Sequence, residues 1–242
     1  MEHVLRPIAR MHSDLSGKFG IPRQAGIVPE LEGLVVFEPE YRIPEALRGI
    51  EGFSHLWLIW QFSENLREDW SPTVRPPRLG GNERLGVFAT RSPFRPNALG
   101  LSCVKLLGVE EKPGMGLALK VGGADLMDGT PIFDIKPYLP YADCKEEATG
   151  GFAPDAGNTL KVAYAPGVAE KLPENKLEAL TGALANDPRP RYQQDPQRLY
   201  AMDFGGFTLR FTVEGERTPT CWPISRTVGG YPIWRVKVRM KS

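Results

Sequence analysis

From residue 4 to about 140 the apolar positions come in short runs, often alternating with polar ones, and Gly or Pro separates one run from the next. That period of two predicts strands near 4–12, 31–38, 54–62, 85–90, 99–109, 116–122 and 132–137. A short helix is expected at 44–50, where Pro44 fits a first turn that has no use for its missing N–H. Strand and helix do not alternate, which argues against a doubly wound parallel sheet and for a mainly β barrel or sandwich.

The pattern changes after residue 143. The stretch DCKEEATGGFAPDAGNT has little apolar content and reads as a linker, dividing the chain into 1–143, a linker at 144–159 and a smaller α+β region at 160–242. In that region Leu177, Leu180 and Leu184 recur at helical spacing after Pro173, and strands are expected at 206–213 and 231–240. In the last strand Trp234, Val236, Val238 and Met240 alternate with Arg235, Lys237, Arg239 and Lys241. The basic face is either a solvated surface or a stripe that tracks phosphates, and both readings stay open.

Composition refines this only slightly. The chain has 242 residues with 30 basic and 29 acidic side chains, a net charge of +1 that names no partner. Residues 186–242, however, hold ten basic and five acidic residues, compatible with a polyanion on the tail. Cys103, Cys144 and Cys221 are too scattered for a disulfide framework or a zinc site, and His3, His12 and His55 do not cluster into a metal centre. The longest apolar run, FSHLWLIWQF, is too short to cross a bilayer, and the N-terminal stretch lacks a signal-peptide core. The expectation is a soluble, cytoplasmic protein without a metal.

Three loops carry chemistry-bearing residues. In ATRSPFRPNALGLS, Pro93 and Pro96 rule out a helix, leaving a stiff loop that presents Arg91, Arg95 and Asn97. KFGIPRQAG offers Arg23 and Gln24, or is an ordinary polar turn. In ADLMDGTPIFDIKPYLP, Asp128-Gly129 signals a tight turn, and Asp134 and Lys136 share one strand face. That segment is either a compensated charge pair beside a turn or a carboxylate site for a ribose hydroxyl or an amine. No P-loop or G-x-S-x-G elbow is present, and the G-x-G of GMGLALK lies between strands where no helix opens. A ligand bearing a carboxylate, a positive centre, a ribose and an adenine would use all these groups. S-adenosylmethionine meets that description; ATP or an acyl-adenylate meets part of it.

The runs KFGIPRQAG, GFSHLWL, RPPRLGGNERLGVFATRSPFRPNALGLS and DLMDGTPIFDIKPYLPYAD, with NDPRPRY further on, resemble the TsaA-like, or TrmO, family of tRNA methyltransferases. The resemblance implies an N-terminal β-barrel that binds S-adenosylmethionine without a Rossmann-like fold, in a homodimer with the cofactor near the subunit interface. It implies N6-methylation of threonylcarbamoyl-adenosine at tRNA position 37, expected in threonine tRNA. It places Gln24, Ala25, Gly26, Ser63, Glu64, Arg91, Leu101, Asp128, Gly129, Thr130 and Pro131 at the cofactor. Asp134 with Tyr138 becomes the candidate proton acceptor. Arg189, Arg191, Tyr192, Arg235, Lys237 and Arg239 become candidates for gripping the anticodon stem-loop. Ala25 and Ala98 stand where the family often has proline, which is expected to soften those loops. Two other functions share parts of this pattern: an RNA-binding barrel without catalysis, and a methyltransferase for a small metabolite.

Overall fold

The computed structural model describes residues 3–66, 69–156, 159–189, 193, 195–214 and 235–240. Its first eight strands are β1 (Ala9–Ser13), β2 (Glu32–Phe37), β3 (His55–Gln61), β4 (Thr73–Val74), β5 (Leu85–Gly86), β6 (Leu99–Lys112), β7 (Gly116–Gly122) and β8 (Pro131–Pro137). Six of them close on themselves in the order β1-β2-β7-β6-β3-β8, with β1 completing the barrel by pairing antiparallel to β8. β4 and β5 form a separate two-stranded ribbon. Alternation does the work predicted for it. In β3 the residues Leu56, Leu58 and Trp60 point into the barrel, while His55, Trp57, Ile59 and Gln61 stay half-buried outside. Met11, Val35, Leu56, Leu58, Val104, Leu119, Val121 and Ile132 complete an apolar, buried core.

Three expected elements are shorter than predicted. The strand at 4–12 begins only at Ala9, and the strand at 85–90 yields after two residues to a 3₁₀ turn at Val87–Ala89. The expected helix at 44–50 is a 3₁₀ turn, Pro44–Leu47, ended by extended Arg48 and by Gly49 at φ 86. The short helix α1 (Pro140–Asp143) follows β8.

The C-terminal part consists of β9 (Lys161–Tyr164), α2 (Glu174–Ala185), β10 (Tyr200–Phe204), β11 (Phe207–Glu214) and β12 (Arg235–Met240). The sheet order is β10-β11-β12-β9, with β9 parallel to β12. Helix α2 buries Leu180 and Leu184, and Leu177 packs at the margin of the same core, as the spacing requires.

This second core also draws in residues from the other end of the sequence. Leu15, Val28 and Leu31, from the connection after β1, are buried within it. Phe19 stacks on Tyr200 and Phe211, each at 6.1 Å, and Asp14 pairs with Lys176 at 2.7 Å. At Gly182 a Cβ would run into Val28, so helix and loop meet there without room for a side chain.

Candidate functional site

Antiparallel closure gathers three connections at one end of the barrel: 14–31 after β1, 62–98 between β3 and β6, and 123–130 between β7 and β8. Most of the predicted cofactor residues lie on these connections. The first and third touch through bare backbone. The Gly26 N–H donates to the Gly123 carbonyl at 2.8 Å, and a Cβ on Gly123 would lie 3.1 Å from the Gly26 Cα. Both glycines have positive φ, 78 and 73, so neither tolerates an ordinary side chain without strain.

Beneath this contact lies a polar chain into the barrel. The Trp60 indole N–H donates to the Ser102 hydroxyl at 2.9 Å, and that hydroxyl donates to the Asp125 carboxylate at 2.5 Å. The Ala25 backbone lies close enough to Asp125 to favour its charged form. Burial pushes the Asp125 pKa above the ordinary carboxylate range, opposed by these neighbours and by the nearby Arg91 guanidinium. Neither Asp125 nor Ser102 was among the residues expected from the sequence. The available signal was a carboxylate three residues before Asp128 in an otherwise apolar run.

Arg91 donates to the Gln24 side-chain carbonyl, bringing two predicted cofactor residues from separate connections into one contact. Lys18 donates to the Glu64 carbonyl at 2.6 Å and to Asn65 Oδ1 at 3.2 Å, which fastens the Ser63–Asn65 turn to the 14–31 connection. The Asp128–Pro131 turn lies at the same end but leans on β1. Asp128 Oδ1 accepts the Ser13 N–H at 3.0 Å, Arg10 donates to the Gly129 carbonyl at 3.3 Å, and the buried Thr130 hydroxyl donates to Met127 O at 2.7 Å.

Arg95 points elsewhere than Arg91: it donates to its own loop at Thr90 O, 3.3 Å away, and lines a cavity of about 660 Å³. Asn65, Asp69, Phe94, Asn97 and Phe133 line the same cavity. Ala98, at the end of this loop, has φ 44 and donates its N–H to Arg95 O at 3.2 Å. Proline fixes φ near −65° and has no N–H, so Ala98 is no softened proline but a residue held where proline could not be.

The remaining candidates fall on the outside of the barrel. Leu101, Ile59 and Asp134 stand directly opposite one another across β6, β3 and β8, so they share one face, and Leu101 is 54% exposed. Asp134 pairs with Lys136 at 3.0 Å, the charge pair that the spacing allowed. Tyr138 donates its backbone N–H to His55 O at 3.0 Å and packs its ring against Trp57 at 5.8 Å. Desolvation and the neighbouring thiols and Asp143 raise its phenol pKa, so it keeps its proton at neutral pH. His55 itself is met by Ser54 Oγ at 2.9 Å and the Tyr138 ring edge, a structural role.

Of the predicted RNA contacts, Arg189 turns inward: it is 5% exposed and holds Asp187 at 2.8 Å, so this guanidinium is committed to the fold. Arg191 and Tyr192 lie outside the described residues, as do the side chains of Arg235, Lys237 and Arg239, whose backbone forms β12. Among the described residues no group of His, Cys, Asp and Glu could hold a metal, and no helix is long and apolar enough to cross a membrane.

A two-part chain with a polar loop cluster at one barrel end has counterparts among tRNA-modifying methyltransferases. The tRNA (adenine(37)-N6)-methyltransferase of Escherichia coli is 41% identical over 215 residues, which is 85% of this chain and 91% of that protein. A relative from Pseudomonas aeruginosa that carries S-adenosylmethionine dependence in its name is 40% identical over 210 residues, 84% of this chain and 89% of its own length. The crystal structure of TrmO from Pseudomonas aeruginosa superposes with a TM-score of 0.73 at 31% identity, covering 99% of both chains. The family profile for the tRNA-methyltransferase O N-terminal domain matches residues 10–144, and that for the TrmO C-terminal domain matches 157–221. The chain belongs to the TrmO family.

Proposed function

We propose that this protein transfers a methyl group from S-adenosylmethionine to N6 of adenine 37 in tRNA, with threonylcarbamoyl-adenosine in threonine tRNA as the acceptor. The observation that carries this reading is the convergence of Gln24, Ala25, Gly26, Glu64, Arg91 and Asp125 at one barrel end, in a family of tRNA methyltransferases. The donor set fits the cofactor. Arg91 and Gln24 offer cationic and amide donors for its carboxylate, Glu64 and Asp128 offer acceptors for ribose hydroxyls, and the bare Gly26–Gly123 backbone permits close approach. When bound, S-adenosylmethionine supplies a methyl already activated on a sulfonium.

The chain's own task is then alignment. Bringing the acceptor nitrogen into line and into near contact recovers much of the barrier through lost freedom of motion. The cavity beside Arg95 is the proposed acceptor pocket: at about 660 Å³ it has room for a nucleoside, with Phe94 and Phe133 for the base and Asn65 and Asn97 for its edge. A base in a single-stranded loop enters such a pocket at little unpairing cost. Asp134 is the proposed acceptor for the N6 proton, with Tyr138 as a neighbouring donor. The outward-facing row Leu101–Ile59–Asp134 is proposed as the face a second copy covers, which would place these residues at a dimer interface near the cofactor.

Mass spectrometry of anticodon fragments from cells with and without this protein tests the whole reading. Loss of one methyl from threonylcarbamoyl-adenosine at position 37 is expected. An unchanged methyl content would overturn it, and calorimetry with S-adenosylmethionine would then tell a cofactor-free RNA-binding barrel from a methyltransferase with another substrate.

A further inference from the structure

Two large aromatic rings on the barrel domain belong to neither core. Trp70 is 49% and Phe88 72% exposed, yet they stack on each other with centroids 6.0 Å apart and planes 27° from parallel. The β4–β5 ribbon holds them there: Trp70 comes just before β4, Phe88 just after β5, and the Val87 N–H donates to Pro72 O at 2.9 Å. Nothing in the interior demands two rings in water, where their burial would be favourable.

Their surroundings identify what they fit. Residues 75–95 contain five arginines and one acid, Glu83, and Arg75 and Arg84 on the same ribbon are exposed. The rings also border the proposed acceptor cavity. Asp69 lines that cavity immediately before Trp70, and the Ser71 N–H donates at 3.4 Å to the carbonyl of Phe94, another lining residue. An aromatic face set in positive charge is the chemistry that holds an unpaired nucleobase with its phosphates.

We infer that Trp70 and Phe88 form a stacking shelf for an unpaired base of the substrate RNA next to the one taken into the cavity. The inference rests on the reading of the chain as a tRNA methyltransferase. Drawing one base out of a stacked loop leaves its neighbour with a bare face, and the shelf replaces the lost stacking partner. It also extends the RNA-contacting surface of the barrel domain beyond the proposed acceptor cavity.

The test uses the full chain with Trp70→Ala, Phe88→Ala and Phe88→Tyr. Binding of a fluorescently labelled RNA hairpin carrying the anticodon loop is followed by anisotropy, together with cofactor binding and oligomeric mass. Either alanine variant should weaken RNA binding by about tenfold or more, the order expected for one stacked base. Phe88→Tyr should restore it, with cofactor affinity and mass unchanged. Unchanged RNA binding in both alanine variants overturns the shelf. So does an altered mass, which would make the ring pair a contact between protein copies. Methylation of tRNA by the unaltered chain, measured separately, reports on the underlying reading, so the two failures remain distinct.

Discussion

Ser102 and Asp125 meet at 2.5 Å across the interval between β6 and the connection after β7, and Ser102 is only 2% exposed. Because the same hydroxyl receives the Trp60 indole N–H, Ser102→Ala strands a donor and removes a carboxylate's partner together. A buried polar group left without its partner costs about 1–3 kcal/mol. A loss of that size in denaturant unfolding is expected, accompanied by weaker cofactor binding, since Asp125 sits beside Ala25 and Arg91 at the proposed cofactor end.

Asp125 gives the protein a pH signature. Its folded pKa is raised, so the folded state holds the proton more tightly than the unfolded chain, whose carboxyl titrates at about 3.9. The contribution is fully present below that unfolded value and is lost as pH rises through the folded one. Asp125→Asn removes it. The melting temperature of the variant relative to the natural protein should therefore climb as pH rises from about 4 and then level off. A slope of opposite sign in paired thermal melts would mean that Arg91 outweighs burial.

Gly100 offers a purely steric test. A Cβ at this position would overlap the Trp60 indole, which has no free space to retreat within the barrel. Gly100→Ala should cost about 1–3 kcal/mol through overpacking. The change should be visible in the denaturation midpoint and in tryptophan fluorescence.

The two arginines of the proline-stiffened loop should separate kinetically. Arg91→Ala loses the Gln24 contact and is expected to weaken cofactor binding about tenfold, as loss of a charged hydrogen bond implies. Arg95→Ala, at the cavity wall, should leave cofactor affinity alone and raise the KM for tRNA. Calorimetry and steady-state kinetics on both variants check the division, and equal effects on both quantities would abolish it.

What the sequence made legible follows from how local each signal is. The barrel strands were readable because alternation records burial directly, as in β3, and α2 was readable from three leucines at helical spacing. β9 and β10 were not anticipated: each has only four or five residues, and β9 gains its place from a parallel partner more than seventy positions away. The Arg91–Gln24 contact spans 67 residues and the Ser102–Asp125 contact 23, so both depend on how the barrel closes. Arg189 looked available for RNA beside two prolines, yet the neighbouring Asp187 captures it in the interior.

The 14–31 connection has a consequence for dissecting the protein. It supplies Gln24, Ala25 and Gly26 to the barrel end while Leu15, Val28, Leu31 and Phe19 are rooted in the C-terminal core. Truncation at residue 160 would thus unmoor the very segment proposed to hold the cofactor, and a dead truncated enzyme would say little about RNA grip. The same wiring makes the two halves thermodynamically reciprocal: whatever immobilises this segment also steadies helix α2. Slower amide exchange at Leu180 and Leu184 on adding S-adenosylmethionine would be its record, read in the C-terminal core rather than at the barrel end.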